Sequence, residues 1–307
     1  MNLEQRLFGA LFHNPVLLAS GTCGYGKELD TTFDIDMLGG IVTKAVTVLP
    51  REGNPALRVA DFDAGMLNSV GLANVGLDEV IRSKLPWLAN RLTRARVFVN
   101  VAGMTVAEFG DIVSALEPHP GYLGFELNVS CPNTEAGGAI FATQPDMLAA
   151  AVRAARAATT KPLLVKLAPN VPDIAAMAEI AVAEGADGLT LVNTMPGLLY
   201  DPETKRPLLG AGNGGMSGPA LLPIGVHAVR MTRRRLGPAV PLLGVGGIRT
   251  ARDAIQYFLA GASLVQIGTA SFADPRAALR VLSGLAGHGR AHGLAGITEL
   301  VGAGVEA

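Results

Sequence analysis

A short polar segment of the chain carries the side chains with the widest choice of chemistry. Residues 128–133 read Asn-Val-Ser-Cys-Pro-Asn and supply two amides, a hydroxyl and a thiol. Amides pair their donors and acceptors with the edge of a polar ring, and a thiol acts as a base where its surroundings favour the thiolate. A free cysteine is more often a small buried hydrophobe, but this one lies in a polar segment bounded by proline. We therefore predict that Cys131 is a catalytic base.

Two lysines lie inside apolar stretches that are typical of buried strands. Lys44 lies in Ile-Val-Thr-Lys-Ala-Val, and Lys166 lies in Leu-Leu-Val-Lys-Leu-Ala. Burying an ammonium group is costly unless the group meets an anion. We predict that both lysines face anionic ligands; the alternative is that each pairs with a structural carboxylate.

Asparagines and glycines mark the ends of these apolar stretches. Asparagine is unfavourable in strands, so its repetition at strand ends predicts a polar lining, although each one alone is also typical of a turn. Glycines that end the last two stretches predict a phosphate site, because backbone N–H groups there can bind an anion; the alternative is plain helix-start glycines. The asparagines are Asn68, Asn100, Asn128 and Asn193, and the candidate phosphate residues are Gly218, Gly246, Gly247, Gly268 and Thr269.

Strands and helices alternate along the chain and must position these groups. Alternation implies parallel strands joined by crossover helices, and eight such units predict an α/β fold, a closed (β/α)₈ TIM barrel. An open doubly wound sheet is the structural alternative. The predicted strands are residues 16–19, 41–46, 97–101, 121–129, 163–167, 188–193, 241–245 and 263–267; the predicted helices are 77–91, 105–116, 145–158, 173–184, 219–235, 251–260 and 275–285.

Three long segments interrupt the alternation, and each follows a strand. They are residues 48–72, 130–144 and 194–218, which are rich in glycine and proline. In a barrel they are inserted loops on the carboxyl face, where active sites form. Because no linker divides the chain, we expect residues 1–307 to form a single domain.

Composition limits the partners and the compartment. The chain has 307 residues and a formal net charge of −1. Because it has no excess of basic residues, its charge gives no indication that it binds nucleic acid or an anionic membrane. Its two cysteines are too few for a disulfide framework, and its five histidines join no metal motif, so we expect no metal site. The amino terminus lacks a signal-peptide pattern, and the expected location is the cytoplasm.

Short motifs spread along the chain resemble those of the dihydroorotate dehydrogenase family over nearly its whole length. They include Asn-Val-Ser-Cys-Pro-Asn at 128–133, Gly-Gly-Met-Ser-Gly-Pro at 214–219 and Gly-Val-Gly-Gly-Ile at 244–248. Shorter matches are Ala-Ser-Gly at 19–21, Thr-Lys-Ala at 43–45, Asn-Ser-Val-Gly-Leu at 68–72, Val-Lys-Leu at 165–167, Val-Asn-Thr at 192–194 and Ile-Gly-Thr at 267–269.

The resemblance implies oxidation of dihydroorotate to orotate in pyrimidine biosynthesis, with one non-covalent FMN per chain. In that family the cysteine base takes a proton from C5 of the substrate, and hydride passes from C6 to N5 of FMN. The flavin contacts that carry over are Ser20, Lys44, Ala45, Asn100, Asn128, Lys166, Val192, Gly218, Gly246, Gly247, Gly268 and Thr269. The substrate contacts that carry over are Lys44, Asn68, Ser69, Val70, Gly71, Leu72, Asn128, Asn133, Asn193 and Thr194.

Cys131 at the position of the base makes the chain resemble class 1 rather than the membrane-linked class 2. Residues 66–72 make it resemble class 1B rather than the fumarate-using class 1A. This resemblance implies a homodimeric core that pairs with a subunit carrying FAD and a [2Fe-2S] cluster and passes electrons to NAD⁺. Two cysteines are too few for an iron–sulfur cluster in this chain. The alternatives are a related flavoenzyme that reduces uracil or thymine, in the manner of dihydropyrimidine dehydrogenase, and a non-catalytic barrel that binds a phosphorylated ligand. A pure interaction subunit fits the concentrated polar lining poorly.

Overall fold

Eight short apolar strands run parallel to one another and close into a barrel. The computed structural model describes residues 1–129, 141 and 143–306. Each barrel strand pairs with the next along the chain, and the last pairs with the first, so the predicted closed barrel is confirmed and the open sheet is excluded. The strands are β1 (Val16–Leu18), β2 (Gly40–Val42), β3 (Arg96–Val101), β4 (Gly124–Asn128), β5 (Leu163–Leu167), β6 (Gly188–Leu191), β7 (Leu242–Val245) and β8 (Leu264–Ile267).

The barrel strands are buried on both faces. Every residue of β5, β7 and β8 is buried. Parallel strands that are covered on both faces read as nearly continuous apolar runs, which is why the sequence predicts them within a few residues. A polar residue inside such a strand therefore stands out as a candidate for function.

Helices cover the outside of the barrel, and some of them begin at a side chain that accepts hydrogen bonds from the first turn. Thr105 accepts from the N–H of Glu108, and Asp173 accepts from the N–H groups of Ala175 and Ala176. The main helices are Leu85–Arg91, Val106–Leu116, Pro145–Ala157, Ile174–Ala183, Leu222–Leu236, Ala251–Leu259 and Ala277–Ala291. Shorter ones are Lys27–Asp30, Leu77–Glu79 and Ala270–Ala273, with 3₁₀ turns at Ile35–Met37, Pro219–Leu221 and Ile297–Glu299.

The helix predicted over residues 77–91 is interrupted by a wider turn. Residues Val80–Lys84 form a π-helix between two α-helical pieces. Pro86, two residues after the end of this segment, has no N–H to donate to the preceding turn, so the regular α-helical hydrogen-bond pattern is locally broken.

An amino-terminal hairpin that the sequence did not predict lies against the barrel. Strands Gln5–Leu7 and Ala10–Phe12 pair antiparallel, and Phe8 and Gly9 form the turn with φ of 54° and 71°. Phe12 packs in the same apolar cluster as Leu17, Leu164 and Leu243 from the barrel strands. The hairpin therefore completes an apolar core away from the strand ends that carry the asparagines.

A four-stranded antiparallel sheet is built from two of the segments that were expected to be irregular. Its strands, in spatial order, are Met195–Gly197, Gly214–Ser217, Gly65–Asn68 and Val59–Phe62. Glycines let neighbouring backbones approach: a Cβ on Gly65 would lie 2.1 Å from the carbonyl oxygen of Ser217. The expectation of loops without regular structure was wrong here, because these strands are short and their pairing depends on tertiary contacts rather than on a local pattern.

Within the described residues, no helix combines the length and the apolar character needed to cross a lipid bilayer.

Candidate active site

Two adjoining cavities lie among the residues that follow the barrel strands. The larger has a volume of about 440 Å³ and the smaller about 150 Å³. Ser20, Lys166, Asn193 and Thr194 line both, so the two cavities meet at these side chains. The larger volume lies within the range of about 300–1,000 Å³ that is typical of small-molecule sites.

Glycine backbone forms one wall of the larger cavity. Gly246 and Gly247 follow β7, Gly268 and Thr269 follow β8, and all four line the cavity together with Gly218. The φ angles of Gly218, Gly246 and Gly247 are 92°, 122° and 73°, which favour glycine over any other residue. A Cβ on Gly247 would lie 2.6 Å from the amide nitrogen of Leu222. This wall presents backbone rather than side chains to a ligand.

Lys166 is buried between a carboxylate and the two cavities. Its side chain projects from β5, and the residue is 5% exposed. Its Nζ lies 3.9 Å from Oε1 of Glu126 and donates a hydrogen bond to Oγ of Ser20 at 3.3 Å. Lys166 therefore meets a structural carboxylate, as the alternative interpretation expected, and because it also lines both cavities, its contact with an anionic ligand stays a prediction.

Amide side chains line the smaller cavity and orient one another. The Nδ2 of Asn193 donates to Oδ1 of Asn128 at 3.3 Å, and Asn68 donates to the carbonyl oxygen of Gly215 at 3.2 Å. Asn100 is fully buried, and its Oδ1 has no hydrogen-bond partner among the described residues. An amide with an unmatched acceptor beside a cavity is suited to a ligand that brings an N–H group.

The residues predicted from the sequence converge on these cavities with few exceptions. All twelve candidate flavin contacts line one cavity or both, including Lys44, Ala45 and Val192. Of the candidate substrate contacts, Val70, Gly71 and Leu72 line the smaller cavity with Lys44 and the asparagines. Ser69 does not line it: the residue is 1% exposed, and its Oγ accepts a hydrogen bond from Asn54.

Of the two cysteines, Cys23 lies within the described residues and Cys131 does not. Cys131 and Asn133 lie outside the described residues, and so does most of residues 130–144. Cys23 is buried, its Sγ donates to the carbonyl oxygen of Val42 at 3.3 Å, and burial raises the pKa of its thiol to about 12. A thiol in this environment is inert at neutral pH.

Several residues that the sequence reasoning did not single out also line the site. Met66, Ser217 and Phe272 border both cavities, and Ser217 accepts a hydrogen bond from Oγ1 of Thr269 at 2.8 Å. The Gly-Gly-Met-Ser-Gly-Pro motif contains Ser217 and could have indicated it. No sequence signal marks Phe272, which is 57% exposed at the rim.

No group of three or more histidine, cysteine, aspartate or glutamate side chains within the described part of the chain is arranged to hold a metal ion.

Comparison with known proteins identifies the family. A family model described as dihydroorotate dehydrogenase matches residues 2–288. The chain belongs to the dihydroorotate dehydrogenase family. The dihydroorotate dehydrogenase B (NAD(+)) catalytic subunit of Geotalea daltonii is 42% identical over 302 residues, which cover 98% of both chains. A Solibacter usitatus protein, provisionally named dihydroorotate dehydrogenase A (fumarate), is 46% identical over 300 residues that cover 98% of this chain and 97% of that protein.

A solved member of the family has the same fold. The crystal structure of dihydroorotate dehydrogenase from Eimeria tenella in complex with ferulenol superposes with a TM-score of 0.83 at 25% sequence identity. The superposition covers 98% of this chain and 88% of that one. The cavities described above therefore lie in a barrel of the dihydroorotate dehydrogenase type.

Proposed function

We propose that this member of the dihydroorotate dehydrogenase family oxidises dihydroorotate to orotate in pyrimidine biosynthesis, with FMN in the larger cavity and substrate in the smaller. The observation that carries the proposal is the junction of the two cavities. Lys166 and Asn193 line both, so a ligand in one cavity can contact a ligand in the other. A reaction between a bound cofactor and a bound substrate requires such direct contact.

The described residues fit the flavin that the family implies. The glycine wall of Gly246, Gly247 and Gly268 suits a phosphate, because backbone N–H groups bind anions and no Cβ blocks their approach. Lys166 and the unmatched Oδ1 of Asn100 offer a donor and an acceptor to the ring. When bound, FMN supplies the acceptor for the hydride that leaves C6 of dihydroorotate.

The side chains around the smaller cavity bind and orient the substrate. Dihydroorotate carries a carboxylate and two ring amide groups, and Lys44 supplies the positive charge that a carboxylate requires. Asn68, Asn128 and Asn193 supply amide donors and acceptors for the ring. We add Asn133 to these substrate-binding amides because it belongs to the Asn-Val-Ser-Cys-Pro-Asn motif at 128–133.

Cys131 is the base of the proposed reaction and takes the proton from C5 of dihydroorotate. A positioned general base contributes about 10²- to 10⁴-fold to the rate. We therefore predict that Cys131→Ala lowers kcat by about that factor while FMN and orotate still bind with their original dissociation constants. Turnover that stays at the wild-type level in this variant would remove Cys131 from the mechanism. Cys23→Ala is the matched control, because Cys23 is buried and lines neither cavity.

The electron acceptor in this proposal is NAD⁺, reached through a partner subunit that carries FAD and a [2Fe-2S] cluster. The Geotalea daltonii relative is named as the NAD(+)-linked catalytic subunit, and residues 66–72 resemble class 1B. We propose a homodimeric core, which with its partner forms a heterotetramer in the cytoplasm. The chain's two cysteines leave any iron–sulfur cluster to the partner.

Fumarate is the second candidate acceptor, because the Solibacter usitatus relative carries the name of the fumarate-using enzyme. The isolated, FMN-loaded protein distinguishes the two. Rapid oxidation of dihydroorotate by fumarate without any partner would assign class 1A. Turnover with an artificial dye but not with fumarate, together with NAD⁺ reduction after addition of an FAD/iron–sulfur subunit, would support class 1B.

The identity of the substrate is tested by competition between pyrimidines. Orotate carries a carboxylate and uracil does not, so the proposal predicts that orotate competes with dihydroorotate and that uracil does not. Preferential inhibition by uracil, with turnover of dihydrouracil, would indicate the dihydropyrimidine dehydrogenase type. A protein that stays colourless after reconstitution with FMN would instead be a barrel for another phosphorylated ligand.

A further inference from the structure

A fully buried glutamate lies beneath the cavities but lines neither of them. Glu126 is on β4, and its exposed fraction is 0%. Oε1 accepts a hydrogen bond from Nδ2 of Asn100 at 2.8 Å, and Oε2 accepts from Oγ1 of Thr190 at 2.7 Å and from Nε2 of Gln266 at 3.0 Å. Nζ of Lys166 lies 3.9 Å from Oε1. These four partners project from β3, β6, β8 and β5, and we call the five residues the Glu126 network.

Stability alone is a weak reason for this arrangement. A buried ion pair loses the solvation of both charges, and well-packed apolar residues in its place are often equally stabilising. The rest of the barrel interior follows that apolar pattern: Leu17, Leu164 and Leu243 pack with Phe12 and Phe98. The presence of the charged pair Glu126 and Lys166 in such an interior therefore indicates a role other than packing.

Glu126 has two kinds of partner in the network: neutral hydrogen-bond donors and one charged group. Asn100, Thr190 and Gln266 are neutral donors, and a carboxylate can only accept, so these three fix the position of Glu126. Lys166 is the charged member of the network, and of the five residues it is the one that lines both cavities. The neutral donors hold the carboxylate, and the carboxylate holds the ammonium group.

We propose that Glu126 is a positioning residue that fixes the Lys166 ammonium group at the junction of the two cavities for contact with the flavin. This inference rests on the proposed function, because the flavin is the ligand that Lys166 is held to meet. Glutamine at this position has one acceptor oxygen in place of two and no charge. It therefore removes the negative charge beside the Lys166 ammonium group and leaves at least one of the neutral donors without its acceptor.

The test is a double-mutant cycle on the affinity of the apoprotein for FMN, measured by the quenching of free FMN fluorescence. We expect Glu126→Gln to raise the Kd of FMN about tenfold in the wild-type background and to change it less than about twofold in the Lys166→Met background, because a residue that acts through another has no effect once that other is gone. Glu126→Asp keeps the charge on a shorter side chain and should give an intermediate Kd. If Glu126→Gln does not fold, the same cycle is run with Glu126→Asp.

Thr159→Val is the matched control for a purely structural role. Thr159 is buried, lies outside the Glu126 network and lines neither cavity, and the substitution removes the hydrogen bond that its Oγ1 donates to Oε2 of another glutamate, Glu117, at 2.6 Å. We expect it to lower the Tm of the apoprotein while the Kd of FMN changes less than about twofold, because stability and affinity are separate readouts.

The outcomes that contradict the assignment are distinct from a failure of the proposed function. An equal loss of affinity from Glu126→Gln in both backgrounds, an unchanged or tighter Kd, or an equal loss in Thr159→Val would overturn the positioning role while FMN binding itself stands. A wild-type apoprotein that does not bind FMN would overturn the proposed function and this inference together.

Discussion

Two lysines supply positive charge to the cavities, and they serve different parts of the site. Lys166 lines both cavities and sits beside Glu126, whereas Lys44 lines the smaller cavity. The burial of Lys166 was predictable from the sequence, because a lysine within an apolar strand requires an anion. Lys44 was expected in the same environment, but it follows the end of β2 and is only partly buried. The role of Glu126 was not predictable from the sequence, because its partners come from strands far apart in the chain and only the closed barrel brings them together.

We predict that Lys44→Met lowers kcat/KM for dihydroorotate by about 10- to 100-fold, since hydrogen bonds to charged groups contribute about 1.5–3 kcal/mol. The physical reason is the loss of the positive charge to which we assign the binding of the substrate carboxylate. Steady-state kinetics with an artificial acceptor give the ratio. Lys27→Met removes an exposed lysine that lines neither cavity and should leave it unchanged. An unaltered kcat/KM in Lys44→Met would place the carboxylate elsewhere.

The loops after β7 and β8 line the larger cavity with glycine backbone. The glycine wall was predictable from the sequence, because the loops after the seventh and eighth strands of barrels commonly bind phosphate and glycines occur at both of these strand ends here. The antiparallel sheet that contributes Met66 and Ser217 was not predictable from the sequence. Strands of three or four residues carry no periodic pattern, and the close contacts that require their glycines form only in the folded protein.

Substitution of one wall glycine provides a test at this scale. Gly247 has φ of 73°, and a Cβ there would lie 2.6 Å from the amide nitrogen of Leu222. We predict that Gly247→Ala raises the Kd of FMN at least about tenfold, because alanine both strains this backbone and displaces the loop. Gly237→Ala is the matched control, since Gly237 has φ of 70° with nothing within 4 Å of its Cβ position and lines neither cavity. It should lower stability and leave FMN affinity unchanged; equal effects of the two substitutions on affinity would contradict a specific role for the wall.

At the scale of the whole molecule, the entrance of the chain into β2 is tied to its entrance into β3. The carboxylate of Asp36 accepts hydrogen bonds from the N–H groups of Thr93, Arg94 and Ala95 at 3.1, 2.9 and 2.8 Å and from the Thr93 hydroxyl at 2.8 Å. Burial alone would raise the pKa of Asp36, but these hydrogen bonds outweigh it and lower the pKa. The contact joins two neighbouring βα units that the sequence pattern treats as independent.

We predict that Asp36→Asn lowers the free energy of unfolding by about 2 kcal/mol at pH 7, because a buried acceptor of several hydrogen bonds is weakened. A carboxyl whose pKa is lowered by folding stabilises the protein above its unfolded-state pKa, and this contribution is lost as the pH falls through the folded-state pKa. The difference between wild type and variant in urea unfolding should therefore shrink in acid, below about pH 4. Asp111→Asn, on an exposed helix surface, is the control. A difference that is constant with pH would contradict the assignment.

The most direct test of the central claim is an absorbance spectrum of the FMN-loaded protein, recorded without oxygen while dihydroorotate is added. The account predicts that the yellow absorption bleaches in proportion to the dihydroorotate added, until one equivalent per bound FMN is consumed, and that orotate forms in the same amount. A flavin band that persists in excess dihydroorotate would contradict the claim that the two cavities hold a flavin and its reductant in contact.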